Sequence, residues 1–210
     1  MQIFLETERL VLRRLTEADV DNLFALDSDP AVMRFLTGGR PTPRDVIEQE
    51  ILPRFLRYYE RYNERFGAWA AIEKATGDFL GWFSFKPPEG SSPHEVELGY
   101  RLRQSAWGMG YGTEGAQALI RKGFAELGVQ RVFATTYQDN LASRRVMEKA
   151  GLRLVRTFRM TPEELAAVGS VHVTPETASQ DLWDGDDVEY ALEKVDWEQQ
   201  EAAGFRGLSQ

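Results

Sequence analysis

The stretch WGMGYGTEG, Trp107 to Gly115, places glycines at 108, 110, 112 and 115 directly before an amphipathic run, AQALIRKGFAEL. Glycine costs helix stability, and its common use is to let backbone approach a partner closely. A strand, a glycine-rich turn and a helix together make an anion site. The first N–H groups of the helix lack intrahelical acceptors, and the macrodipole favours negative charge there. Arg101, Arg103 or Arg121 could add positive charge. Other readings of the spacing stay open. Gly110, Gly112 and Gly115 satisfy G-x-G-x-x-G, but a dinucleotide fingerprint follows a first strand and has an acid about 20 residues on. Here the preceding strand is the fourth, and the next one ends TTYQDN. A Walker loop ends in G-K-[ST], which Thr113-Glu114 does not supply. The plainest alternative is that the glycines serve only tight packing.

The elements around this turn follow from periodicity and punctuation. Residues 9–15, RLVLRRL, alternate and predict a strand. Thr16 through Asp19 make a capping-box-like start to a helix through about Leu26, ended by Asp29-Pro30. Residues 37–43 predict a loop, with Thr42 as N-cap and Pro43 at the first position of the next helix. That helix carries Ile47, Ile51, Phe55, Tyr58, Tyr59 and Tyr62, with a kink at Pro53. Its tyrosines, at helical spacing, suit the core or a dimer surface better than a substrate pocket. Strands at 68–74 and 79–86 are joined by a Thr76-Gly77-Asp78 turn. A loop at 86–94 leads to a strand at 95–103. The helix after the glycines runs to about Leu127, where Gly128 caps it. A strand follows at 131–137, then a helix opened by Asp139-Asn140 and closed by Ala150-Gly151. Strands at 152–160 and 187–195 flank a polar segment, 161–186. A polar, partly frayed tail occupies 196–210. The order β-α-α-β-β-β-α-β-α-β-β predicts one mixed α/β domain over residues 1–195, with 161–186 inserted between its last two strands.

Composition narrows the function classes. The 210 residues include 33 acidic and 25 basic side chains, a net charge of −8. A broad nucleic-acid surface needs clustered Lys and Arg, so no nucleic-acid partner is expected. There is no cysteine, which excludes disulfides, thiolate metal sites and a cysteine nucleophile, and fits a cytoplasmic protein. The N-terminal apolar run is too short for a signal peptide. No window reaches the roughly 18 apolar residues of a membrane span. His94 and His172 lack metal-ligand spacing, so no metal is expected.

A second segment, NLASRRVMEKAGLRL (residues 140–154), lies one strand beyond the glycine turn. Taken with ETERLVLRRLTEADVDNLFAL, ELGYRLRQSAWGMGYGTEGAQALIRKGF and DVEYAL, it carries a resemblance. The chain resembles the GNAT superfamily of acyl-CoA-dependent N-acyltransferases, most closely its RimJ/RimL-like branch, over roughly residues 6–160. The resemblance implies a mostly antiparallel sheet splayed between the fourth and fifth strands and flanked by helices, with acetyl-CoA as co-substrate. It implies the pantetheine in that gap and the pyrophosphate on backbone N–H groups of Met109, Gly110, Gly112 and Thr113. Leu102, Trp107, Asn140 and Ser143 complete the implied donor contacts. The superfamily often has Gln or Arg where Trp107 stands, whereas the narrower branch tends to have Trp.

Acetyl transfer to an amine needs a sink for the amine proton, a donor for the oxyanion and a proton for the leaving thiolate. Direct attack needs no enzyme nucleophile. Glu97 matches the acidic position of the E-x-G-Y pattern and is the candidate base, with Glu95, two residues earlier on the same face, in reserve. The plain alternative for either is a carboxylate facing solvent or pairing with an arginine. Many superfamily members place a Tyr seven residues after the Asn. This chain has Met147 there, and the branch points to Ser143 in its stead. Ser143 could equally hold only a local backbone bond, and Asn140 could be an N-cap. The implied acceptor is a protein N-terminus or a small-molecule amine, with succinyl-CoA as an alternative donor, no membrane partner and a homodimer as one option. Asp181, Asp184, Asp186 and Asp187 could draw a cationic amine or form a solvated loop. A non-catalytic acyl-CoA-binding or sensory module is the alternative function.

Overall fold

A computed structural model describes residues 2–159 and 184–207. Its strands are β1 (Ile3–Glu6), β2 (Leu10–Arg14), β3 (Gly67–Glu73), β4 (Phe79–Lys86), β5 (Glu95–Leu102), β6 (Arg131–Tyr137), β7 (Arg153–Phe158) and β8 (Asp187–Glu193). They form one sheet in the order β1-β2-β3-β4-β5-β6-β8-β7. Every neighbouring pair is antiparallel except β5 with β6. The helices are α1 (Val20–Asp27), α2 (Pro30–Thr37), α3 (Arg44–Val46), α4 (Leu52–Arg61), α5 (Tyr111–Lys122), α6 (Leu141–Lys149) and α7 (Lys194–Gly207). The mixed α/β architecture is the one the sequence predicts.

Side chains alternate across the sheet, so each face gathers its own apolar set. Phe83, Phe85, Val96, Leu98 and Leu102 share a buried cluster with Leu119, Ile120 and Phe124 from α5 and its continuation. Ala68, Ala70 and Phe79 join Leu23, Leu26, Ile51 and Phe55 on the other face, beneath α1 and α4. Tyr59 is core: its hydroxyl donates to Ala68 O and accepts from Leu15 N–H. Between α3 and α4 the chain makes one π turn, Ile47–Ile51. Pro53 follows it directly in a helical run that is continuous from α3, so the π turn falls where the N–H that Pro53 lacks would otherwise bond back.

Four expectations are corrected. Asp29-Pro30 does not merely end a helix; it opens α2, with Asp29 Oδ1 accepting from Ala31 N–H at 2.9 Å and Pro30 at the first position. The same Asp-Pro pair that forbids a helix from the N-terminal side starts one on the other. Pro43, not Thr42, holds the N-cap position of α3. An additional strand, β1, precedes the expected first one and pairs with it, so Ile3 to Glu6 form the sheet edge. The polar tail is helical through Gly207. Trp197 packs on Phe124 at 5.4 Å between ring centroids, and Gln200 Nε2 donates to Gly151 O at 3.4 Å, so the run is docked on the fold as a helix. The expected insertion at 161–186 lies outside the described residues except for 184–186. Among the described residues no helix is long and apolar enough to cross a membrane.

Candidate functional site

The parallel contact between β5 and β6 is brief. It pairs only Glu95 with Arg131, Val96 with Val132 and Glu97 with Phe133. Beyond that point β5 stays paired to β4 as far as Leu102, and β6 stays paired to β8 as far as Tyr137. Residues 98–102 and 134–137 therefore turn one backbone edge each toward a gap. Edge N–H and C=O groups are obligatory hydrogen-bonding groups, so the gap is a slot suited to an extended ligand carrying amides.

The glycine turn stands at the mouth of this slot. Gly110 is the N-cap of α5 with φ +87°, a left-handed conformation that favours glycine. Helical bonding begins only at Glu114 N–H, which donates to Gly110 O at 3.0 Å. Among the described residues the amides of 108–113 have no backbone acceptor. This row of donors stands at the positive end of a twelve-residue helix, where negative charge is favoured. Gly115 has another purpose: a Cβ there would run into the ring of Phe83, so it sets how closely α5 lies on β4. Trp107 Nε1 donates to Leu102 O at 2.8 Å, which ties the turn to the end of β5 while the indole stays half-exposed. Met109 is exposed beside it.

Arg101 does not reach this site. It lies on the opposite face of β5, paired with buried Asp27 at 2.6 Å, and Arg103 sits over the Phe79 ring. The cation beside the turn is Arg9, from β1–β2, some hundred residues away in sequence. Its Nη1 donates to Met109 O at 2.9 Å, and its Nε and Nη2 each lie 2.7 Å from Glu114 Oε2. Burial raises the Glu114 pKa, but hydrogen bonds from Thr7 and Arg9 outweigh it and hold the carboxyl below its usual range. Nothing local in the sequence marks Arg9 for this place, because the contact spans 105 positions.

Ser143 lies in the first turn of α6, on the slot side of β5. The Tyr100 hydroxyl reaches it from the strand, donating to Ser143 O at 2.9 Å with Ser143 Oγ 3.0 Å away. With the phenolic hydrogen on the carbonyl, Ser143 Oγ–H is the donor of the second contact. Burial pushes the Tyr100 phenol up to about 12 against the smaller lowering from Ser143, so it is neutral at physiological pH. Asn140 caps α6: its Oδ1 accepts from Ser143 N–H and its Nδ2 donates to Thr136 Oγ1, both at 3.2 Å. One lone pair and one hydrogen of that amide remain.

Glu97 points to the other face of β5 from Tyr100. It pairs with Lys86 at 3.2 Å and keeps 26% of its side chain exposed. Glu95, on the same face, is bound into a cluster around Arg131, which also holds Glu189 and Glu193 at 2.8 and 2.6 Å. The structure thus brings Ser143, Asn140 and Tyr100 together beside the gap and leaves Glu97 across the strand from them. Asp184 and Asp186 pair with Arg159, and Asp187 is buried; Asp181 lies outside the described residues. Among the described residues no group of three or more His, Cys, Asp or Glu could hold a metal ion.

A family model described as an acetyltransferase (GNAT) domain matches residues 9–153. The FsC-acetyl coenzyme A-N(2)-transacetylase of Aspergillus fumigatus is 35% identical over 160 residues, which are 73% of this chain and 66% of that relative's own length. Among solved structures, a GNAT-family acetyltransferase from Bacillus anthracis has 25% identity and a TM-score of 0.66, over 93% of this chain and 99% of that one. RimL, a ribosomal alpha-N-protein acetyltransferase solved with coenzyme A, is 18% identical with a TM-score of 0.66, over 91% of this chain and 98% of its own. That last likeness is one of fold.

Proposed function

The chain belongs to the GNAT acetyltransferase family and is an acyl-CoA-dependent acetyltransferase; from that premise we propose that it moves an acetyl group from acetyl-CoA to a primary amine by direct attack, with both substrates bound together. The observation that carries the reading is the row of amides at 108–113, without a backbone acceptor among the described residues, set at the mouth of the gap between β5 and β6. A diphosphate fits the row, and a pantetheine amide chain fits the strand edges beyond it. Met109, Gly110, Gly112 and Thr113 would hold the pyrophosphate through N–H groups, with Trp107 and Leu102 flanking. Asn140 keeps one donor and one acceptor for a pantetheine amide.

Acetyl-CoA, when bound, supplies an activated acetyl thioester. The chain's own residues orient and move protons. Glu97 is the base for the amine, directly or through water; its exposure and its face away from Ser143 suit an acceptor approaching from the α1–α4 side. Glu97 is preferred to Glu95 because Glu95 already shares Arg131 with two other carboxylates. Ser143, backed by Tyr100, places a hydroxyl beside the gap and would serve the sulfur side. Such assistance needs the Tyr100 hydrogen to turn from Ser143 O to Ser143 Oγ, which frees the serine hydrogen.

The acceptor is a protein N-terminus or a small-molecule amine. Trp107 and the fold likeness to RimL support the RimJ/RimL-like branch. The name of the Aspergillus relative, with acetyl coenzyme A and a nitrogen acceptor in it, supports acetyl over succinyl. The lack of cysteine supports a reducing, cytoplasmic setting. The test is incubation with acetyl-CoA and a library of primary amines and N-terminal peptides, reading free thiol and acetylated products by mass spectrometry. Thiol released in step with one acetylated amine is expected. Tight CoA binding with no turnover on any amine would overturn the catalytic reading.

A further inference from the structure

We propose that Arg9 is a positioning residue for the donor's diphosphate, with Glu114 as its anchor; this rests on the acetyl-CoA reading above. A trans peptide is planar, so its C=O and N–H point in opposite directions. Arg9 Nη1 takes Met109 O at 2.9 Å, which turns the N–H of Gly110 away from Arg9 and into the donor row. The guanidinium is itself fixed. Nε and Nη2 share Glu114 Oε2, while Glu114 Oε1 accepts from Arg9 N–H at 2.8 Å and Thr7 Oγ1 at 2.5 Å. The cation also sits 4.4 Å from the centre of the Tyr111 ring, whose hydroxyl bonds Glu73. Lys74 Nζ in turn holds Thr7 O at 2.7 Å. Two hairpin ends therefore brace the turn from behind.

The arrangement also settles a charge conflict. Glu114 lies in the first turn of α5, and a loose carboxylate there would repel a diphosphate on the same amides. Thr7 and Arg9 hold it against the β1–β2 connection, and the guanidinium offsets its charge. Lysine cannot replace Arg9, because one ammonium cannot serve a carbonyl and a carboxylate with the fixed geometry of a guanidinium.

The experiment compares CoA with pantetheine, which has the same arm and no phosphate, by titration calorimetry on the wild type and on Arg9→Ala. The variant is expected to bind CoA about tenfold more weakly, the scale of one charge-assisted hydrogen bond, and pantetheine equally well. Its KM for acetyl-CoA should rise with kcat unchanged. Should Arg9→Ala fail to fold, Arg9→Lys is put through the same comparison with the same expectation. Equal losses for both ligands would show general loosening and overturn the proposal, as would unchanged CoA affinity. A wild type that binds neither ligand overturns the donor reading and this inference with it.

Discussion

Glu97 and Ser143 stand on opposite faces of β5, and each has a partner that limits what it does. Glu97 is the proposed base, so Glu97→Gln should lower kcat by roughly 10²- to 10⁴-fold, the usual range for a general base, while CoA affinity holds. Equal turnover in the variant would return Glu97 to the role of a structural ion-pair partner. Tyr100 is the residue that sequence reading missed on the slot side. Its phenol is pushed up to about 12, so the neutral form is favoured by folding. That contribution is whole below the ordinary tyrosine value near 10 and is lost as pH climbs toward about 12. Tyr100→Phe should flatten this alkaline decline, measured by urea unfolding at a series of pH values. The E-x-G-Y pattern put Tyr100 in plain view. Its partner could not be read, because Ser143 is 43 positions away and only the packing of α6 decides their meeting.

At the scale of elements, local signals read well where a turn or cap has its own chemistry. Thr16 through Asp19 form the expected capping box: Asp19 Oδ2 accepts from Thr16 N–H at 2.9 Å, and Asp19 also takes Arg13 in two contacts. Burial raises the Asp19 pKa, but Arg13, Thr16 and Asn22 together bring it below its usual range. Its stabilisation is thus present above pH about 4 and lost as pH falls through the lower folded value. Asp19→Asn leaves Arg13 unpaired at a largely buried site and should cost about 3 kcal/mol, with less acid sensitivity, both checked by chemical denaturation. Gly115→Ala tests the seating of α5 on β4. Phe83 is fully buried and cannot step aside, so overpacking should cost about 1–3 kcal/mol, read as a lower melting temperature. Where a signal is two-sided the sequence misled: Asp29-Pro30 is both stop and start, and a polar tail is helical once Trp197 finds Phe124.

The whole molecule is a sheet whose two halves part after Glu97, with one helix head placed at the parting. Ligands that fill the slot should stabilise the entire fold by mass action. CoA at about one hundred times its Kd should raise the unfolding free energy by about 2.7 kcal/mol, whereas NAD should leave melting unchanged; a shift with NAD and none with CoA would reverse the reading of G-x-G-x-x-G. The sequence by itself determined most element types, the glycine turn at the head of α5 and the family, because these rest on periodicity, glycine placement and residues near one another in the chain. Only the tertiary structure decided that Arg9 rather than Arg101 or Arg103 backs that turn, and that Asn140 and Tyr100 converge on Ser143 while Glu97 does not. Sheet order and helix seating bring together residues tens to a hundred positions apart, and no local pattern records such contacts.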